Sequence, residues 1–386
     1  MSIKVAIAKK LHKVLVRYLQ KNNSYDDKII PKKTLDPSFI IHIGSTINAG
    51  GIMHLEYWLD SFIASGHQFL IVTRQIETYH LITKKYPKQN TSLITKPAQI
   101  DIIYNKFKRI KAVFYPANTA NNIHFLRTCG KKHIFIGHGD SDKSSSMNRL
   151  FKVYDEVFVS GQAHIDRFQH ADFNTESIKF KVIGRPTTEI YKDNEPYTAN
   201  KIIYIPTWEG FVSEQSYSSI NLAEKIIIEL RKITDLPIEI KLHPLTGLVN
   251  GDNKKIEQSI KNLKLANIKI HKKDSQLKTL LKHNAVYICD ISATITECLP
   301  THSPIITYTP PITTKTHSSN YKPELFTYTY KDVKELASAV SQALNNDYKK
   351  DSRILALDYF INKKATLENS FYKNLDRLQS ASYDQH

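Results

Sequence analysis

Residues 285–308, AVYICDISATITECLPTHSPIITY, constrain the fold more than any other stretch of this chain. Ala285–Cys289 is a continuous apolar, β-prone run, and Pro304–Tyr308 repeats the pattern after one short helical segment. That reads as two buried parallel strands joined by a crossover. Between them, Asp290-Ile-Ser-Ala-Thr294 places hydroxyls and backbone N–H groups at the start of a helix, where the macrodipole favours an anion such as a diphosphate. The same residues also suit plain capping, with Ser292 or Thr294 as N-cap and Thr294 and Glu297 forming a T-x-x-E box.

Three further strand ends carry polar groups. Glu239–Pro244 (EIKLHP) ends in His243 and is stopped by proline, Lys201–Trp208 (KIIYIPTW) ends in Pro-Thr-Trp, and Lys181–Pro186 (KVIGRP) brings a glycine turn and a cation. In an open parallel sheet ligands bind at the carboxyl ends of strands, so Arg185, Thr207, His243 and Ser292 are expected to converge on one crevice. Each also has a purely structural use, as a strand-end cap or a turn residue.

In chain order, Ile136-Gly137-His138-Gly139 with Lys143, Gly184-x-Pro186, Pro206-Thr207-Trp208, Leu242-His243-Pro244 and Asp290-x-Ser292 followed by Glu297 resemble the signatures of the CDP-glycerol glycerophosphotransferase family. That family comprises teichoic-acid primases and polymerases, with relatives in capsule synthesis. The resemblance implies an α/β chain of GT-B architecture, two Rossmann-like domains facing across a cleft. It also implies metal-independent transfer of an alditol phosphate from a CDP-linked donor to a hydroxyl of a lipid-linked glycan or polyol-phosphate acceptor, with CMP released and no cofactor. On that reading His138 takes the hydroxyl proton. His243, Arg185, Ser292 and Thr294 neutralise phosphoryl charge. Glu297 holds the donor ribose hydroxyls, and Thr207 contacts the donor phosphates or positions its loop.

The chain departs from the family pattern at several points. Asp140-Ser141 stands where Thr-Pro is usual, Ala293 replaces the second serine of Asp-x-Ser-Ser, Glu209 replaces the arginine after Pro-Thr-Trp, and Thr187 replaces that of Gly-x-Pro-Arg. The donor alditol, glycerol or ribitol, therefore stays open. Asp140-Ser141-Asp142 offers a rival reading, because a DxD after a strand can hold the divalent ion of a nucleotide-sugar glycosyltransferase. The alternative for those acids is a cap on the following segment. A binding module on the same fold, with a degenerate cleft, is the non-enzymatic reading.

The 386 residues, 41% hydrophobic, suffice for two domains with substantial cores. Strand and helix signals alternate in two blocks. The expected division is a basic amphipathic segment at 1–35, an acceptor-side domain at 36–178, a donor-nucleotide domain at 179–345 whose first strand opens near Lys181, and a helical segment at 346–386 that crosses back to the first domain. In the first block, Gly44–Gly51 (GSTINAGG) follows a strand and precedes a helix pattern, so Gly50, Gly51 and His54 are acceptor-side candidates, or the elements of a tight turn before a buried helix. Three cysteines without CxxC spacing fit buried packing in a reducing compartment.

Lys and Arg number 54 against 37 Asp and Glu, a formal net charge of +17 that favours anionic partners. Residues 1–33 hold nine of the cations and two Asp, and Ile3, Ile7, Leu11, Val14, Leu15 and Tyr18 recur among them at helical spacing. Such a helix suits an anionic membrane surface, or packing on the first domain. No long apolar run or signal peptide is present, so the expected location is the cytoplasm, peripheral on the inner face of the cell membrane. Nucleic acid is not an expected partner, because no RNP, KH or zinc-knuckle pattern accompanies the 21 Tyr and 16 Phe.

Overall fold

The structure is a computed structural model that describes residues 31, 35–46, 50–138, 147–186, 188–192, 196–210, 217–273, 275–310 and 322–381. The basic stripe of residues 1–30 and the Asp140–Asp142 motif lie outside the described residues. Two parallel sheets form the frame. The first contains β1 (Phe39–Ile43), β2 (Phe69–Thr73), β3 (Thr91–Leu93), β4 (Ala112–Tyr115), β5 (Lys132–Phe135), β6 (Glu156–Val159) and β7 (Phe180–Val182), in the order β3-β2-β1-β4-β5-β6-β7. The second contains β8 (Lys201–Ile205), β9 (Ile238–Ile240), β10 (Ile268–Ile270), β11 (Ala285–Asp290), β12 (Ile305–Tyr308) and β13 (Tyr328–Tyr330), in the order β10-β9-β8-β11-β12-β13. Each sheet reverses its winding between its first and fourth strands, the doubly wound arrangement whose crevice lies beyond the carboxyl ends there.

The strands read as unbroken apolar runs because helices cover both faces. Ile40 and Val113 enter one core of the first sheet, and Phe39, Ile41 and Phe114 the core on its other face. The same alternation sends Ile202 and Tyr204 to one face of the second sheet and Ile203 and Ile205 to the other.

The sequence expectation that Lys181–Pro186 opens the second block is corrected here. Phe180–Val182 pairs with β6, Val157 opposite Phe180 and Val159 opposite Val182, and so extends the first sheet. A short apolar strand suits either sheet, and only the pairing decides its home.

The last helices tie the two units together. Ala356, Leu357, Phe360 and Ile361 of the helix Lys350–Ile361 pack in a core shared by the second sheet and Ala163 of the first unit. Phe371, Leu375 and Leu378 of the helix Ser370–Ser380 complete the core of the first sheet, and Arg377 bonds Glu156 at 2.6 Å. At the seam Gly184 has φ +66°, and a Cβ there would lie 2.5 Å from the Thr366 backbone nitrogen. Gly→Ala in a compatible conformation usually stabilises slightly. Gly184→Ala instead meets the left-handed penalty of roughly 1–2 kcal/mol and an overpacking cost of roughly 1–3 kcal/mol. The expected loss, read from chemical denaturation, is therefore about 2–5 kcal/mol.

Candidate active site

A cavity of about 740 Å³ lies between the carboxyl edges of the two sheets, within the size range of small-ligand sites. His138, Arg185, His243, Thr294 and Glu297 all line it. They come from the loops after β5, β7 and β9 and from the helix after β11, so the topology brings together residues distant in sequence.

His138 follows Gly137, whose φ of +65° turns the chain out of β5 and whose carbonyl accepts the Trp58 indole N–H at 2.5 Å. The His138 Nδ1 lies 2.7 Å from the Pro116 carbonyl. A carbonyl only accepts, so Nδ1 carries the proton and Nε2 keeps its lone pair. The ring is open to the cavity, yet it sits deep enough in the cleft that desolvation lowers its pKa, against the opposing effect of the Pro116 bond. At neutral pH the imidazole is therefore neutral, with a basic nitrogen available.

His54 stacks on His138, ring centroids 3.8 Å apart at 28°, and its Nδ1 meets the Ser45 hydroxyl at 3.1 Å. Burial, then repulsion from His138, brings its pKa down to about 3, so the pair carries no charge at neutral pH. His54 thus backs His138 and does not itself line the cavity. Gly50 and Gly51 do not line it either. Gly50 has φ +81° ahead of the helix Gly51–Ala64, and a Cβ on Gly51 would lie 2.7 Å from the Ser45 carbonyl oxygen. Both belong to the tight turn before that helix.

His243 presents the opposite tautomer. The Leu245 N–H donates to its Nδ1 at 3.1 Å, which leaves the ring proton on Nε2. Trp208 stacks over the ring at 6.2 Å between centroids. The cavity is thus bordered by one imidazole that accepts through Nε2 and one that donates through Nε2.

Arg185 is 4% exposed, bonds the Glu297 carboxylate and reaches the Thr296 hydroxyl at 3.3 Å. Its backbone N–H donates to Thr366 Oγ1 at 3.0 Å, and its guanidinium lies 5.9 Å from the Tyr57 ring centroid. This places a cation and an acid side by side on the cavity wall, joining the loop after β7 to the helix Ala293–Cys298.

Two expected donor ligands serve the framework instead. Ser292 is the N-cap of that helix and accepts the Thr294 N–H at 3.3 Å; it does not line the cavity, and the T-x-x-E box is not formed because Glu297 turns to Arg185. Thr207 is buried, also away from the cavity lining, and its N–H donates to Asp290 Oδ2 at 2.7 Å. The same carboxylate oxygen accepts the Ser219 N–H at 3.1 Å. Asp290 therefore ties the ends of β8 and β11 together at the point where the winding reverses.

Residues to which sequence reasoning assigned no role hold the His243 loop. Lys241 is buried at the cavity wall and gives its ammonium to the carbonyls of Leu242 and Lys273, both at 2.8 Å. Lys273 reaches the Thr246 carbonyl at 3.0 Å. Glu209, the residue in place of the family arginine, accepts N–H bonds from Gly247 at 2.9 Å and from Val249 and Asn250 at 3.2 Å. Burial alone would raise its pKa, but these bonds outweigh it and hold the carboxyl below its usual value. A depressed folded value stabilises above the unfolded pKa and is lost as pH falls through the folded one. Glu209→Gln is therefore expected to cost up to about 1 kcal/mol at pH 7, reduced by solvent at this half-buried site. In paired denaturation curves the deficit should shrink towards pH 3.

Residues 115–364 match the sequence model of the family described as CDP-Glycerol:Poly(glycerophosphate) glycerophosphotransferase, more than half of the chain. The chain belongs to this family. No curated protein matches it. Among solved structures, the H548A form of the wall teichoic acid polymerase TagF is 15% identical with a TM-score of 0.55, covering 99% of this chain and 100% of that one. A glycosyltransferase from Rickettsia africae ESF-5 is 14% identical with a TM-score of 0.55, covering 90% and 100%. Anabaena Alr3699/HepE in complex with UDP-glucose is 11% identical with a TM-score of 0.51, covering 88% and 99%. At these identities the likeness speaks for the fold, which is GT-B. The family makes the chain a transferase of the glycerophosphotransferase type.

Proposed function

We propose that this glycerophosphotransferase-family chain moves an alditol phosphate, glycerol phosphate or ribitol phosphate, from a CDP-linked donor to a hydroxyl of a membrane-linked glycan or polyol-phosphate acceptor, in teichoic-acid-like or capsule polymer synthesis. The observation that carries the proposal is the pair of histidines of opposite tautomer bordering one cavity, with Arg185 on its wall. The acceptor oxygen attacks the β-phosphorus while its proton passes to His138 Nε2. The bond from that phosphorus to the bridging oxygen breaks, and CMP leaves with the oxygen. His243 Nε2–H and Arg185 donate to oxygens that gain charge in this step, with the Thr294 hydroxyl at the same wall. Glu297, beside Arg185, accepts from the donor ribose hydroxyls. Ser292, Thr207 and Asp290 keep the donor loop in shape.

The same proposal places the acceptor on the side of the first sheet and the donor on the side of the second, with the boundary after β7. It sets the protein against the inner membrane face through the cationic, apolar-striped stretch at residues 1–33. Among the described residues no helix is long and apolar enough to cross a membrane. TagF H444N has been solved with CDPG, which supports a cytidine donor here.

A thermal-shift panel of CMP, CDP, UMP, UDP, CDP-glycerol, CDP-ribitol and UDP-glucose tests the reading. A ligand at 100 times its Kd stabilises by about 2.7 kcal/mol, enough to resolve preferences. Cytidine compounds are expected to shift melting and uridine compounds to leave it unchanged. A uridine preference would move the chain to the nucleotide-sugar glycosyltransferases.

A further inference from the structure

The first sheet carries a cationic cluster outside the cavity. Arg74 directly follows β2, His42 stands in β1, and His124 and Arg127 belong to and follow the short helix Ile123–Leu126 after β4. Strands β2, β1 and β4 are neighbours, and the winding reverses between β1 and β4, the position where open α/β sheets take ligands. Arg74 donates Nη2 to the Thr95 carbonyl at 3.1 Å, while its Nη1 is buried and meets no acceptor. Arg127 Nε donates to the His124 carbonyl at 3.3 Å, and its side chain is otherwise at the surface. His42 is 1% exposed and packs on Phe125 at 4.8 Å, and neither ring nitrogen is in a hydrogen bond; Asn122 stands beside it without bonding geometry.

These groups repel one another. Burial and then Arg127 lower the Arg74 pKa, and burial, Arg74 and Arg127 lower that of His124. His42, pressed to about 3 by burial and then Arg74, supplies no charge and offers only neutral polar atoms. No carboxylate among the described residues pairs with either arginine. Two guanidiniums at one edge of the sheet, on the segments after β2 and β4 that flank β1, one of them partly out of water, are unfavourable alone and are relieved by an anion. A phosphate suits the arginine fork geometrically as well as electrically.

We infer that Arg74, Arg127 and His124, over the buried His42, form a second anion site that holds a phosphate group of the acceptor. Naming the acceptor as the source rests on the transfer reading above. Arg74 at the end of β2 and His138 beyond β5 share one edge of the sheet, three strand spacings or roughly 14 Å apart. A chain already bearing phosphodiesters could place its terminal hydroxyl at His138 and an earlier phosphate on the arginines.

The test is titration calorimetry of a short synthetic oligo(glycerol phosphate) against the full chain without donor. Arg74→Gln with Arg127→Gln should weaken binding about tenfold or more. Arg127→Gln alone, at an exposed position that does not threaten folding, should weaken it several-fold at unchanged melting temperature. In turnover assays both changes should raise KM for that oligomer and leave kcat and the donor KM unaltered, while a phosphate-free hydroxyl acceptor shows no change. Unaltered oligomer binding in folded Arg127→Gln and Arg74→Lys/Arg127→Gln would overturn the site. So would a defect confined to binding of phosphatidylglycerol vesicles, which would assign the phosphate to a lipid headgroup. Arginine-dependent oligomer binding by a chain that turns over no CDP-alditol would sink the transfer reading and leave the site standing.

Discussion

His138→Ala is expected to lower turnover by roughly 10²–10⁴ while donor affinity stays near wild type. The ring's only committed proton faces the Pro116 carbonyl, so the exchangeable position is Nε2, on the cavity side. Because burial lowers its pKa, the imidazole stays unprotonated below the usual histidine range. The acid limb of kcat/KM should accordingly fall below pH ~6.5 and disappear from the residual rate of the alanine variant. Stacked His54 adds no charge in that range, so a single titration is expected. A wild-type rate in a well-folded variant would remove His138 from the chemistry. A loss of CMP affinity would mean instead that the donor sits on the first sheet.

His243→Ala is expected to cost roughly 10²–10³ in turnover, and here donor affinity should fall too. A hydrogen-bond donor aimed at the phosphoryl group stabilises the bound donor as well as the transition state, whereas a base for the acceptor proton does not. The two variants thus separate on one measurement, CMP binding at matched melting temperature. The control matters because His243 also takes the Leu245 N–H and stacks with Trp208. A variant that loses stability but keeps its rate per folded molecule would assign His243 to the loop alone.

Much of the frame was legible because parallel strands covered on both faces need unbroken apolar runs, and KIIYI, AVYICD and IITY supply them. Phe180–Val182 was assigned to the wrong sheet because nothing in three residues names a partner strand. The polar strand ends were visible for the same reason as the strands, and five of the singled-out residues do meet at the cavity. Ser292 and Thr207 show where that reasoning stops, since a hydroxyl or amide at a turn serves a ligand or a cap with equal ease. His54 and His138 are 84 positions apart with no periodicity joining them, so their stacking had no signature. The roles of Lys241 and Glu209 were missed because their partners are backbone groups, and a main-chain carbonyl or N–H has no letter in the sequence.

The return of the chain end to the first sheet bears on how the molecule is made. Phe371, Leu375 and Leu378 fill the core on one face of β1 and β4, so a nascent chain that has delivered all seven strands of that sheet still lacks part of their cover. During translation the unfinished face leaves Trp58, Phe62 and Phe114 without their last apolar neighbours until the second unit has also emerged. Folding one unit at a time from the amino end, the usual course for two-domain chains, therefore leaves this face short of its last cover until residues 370–380 have been made. A chain stopped before residue 370 is expected to present that face to chaperones and proteases.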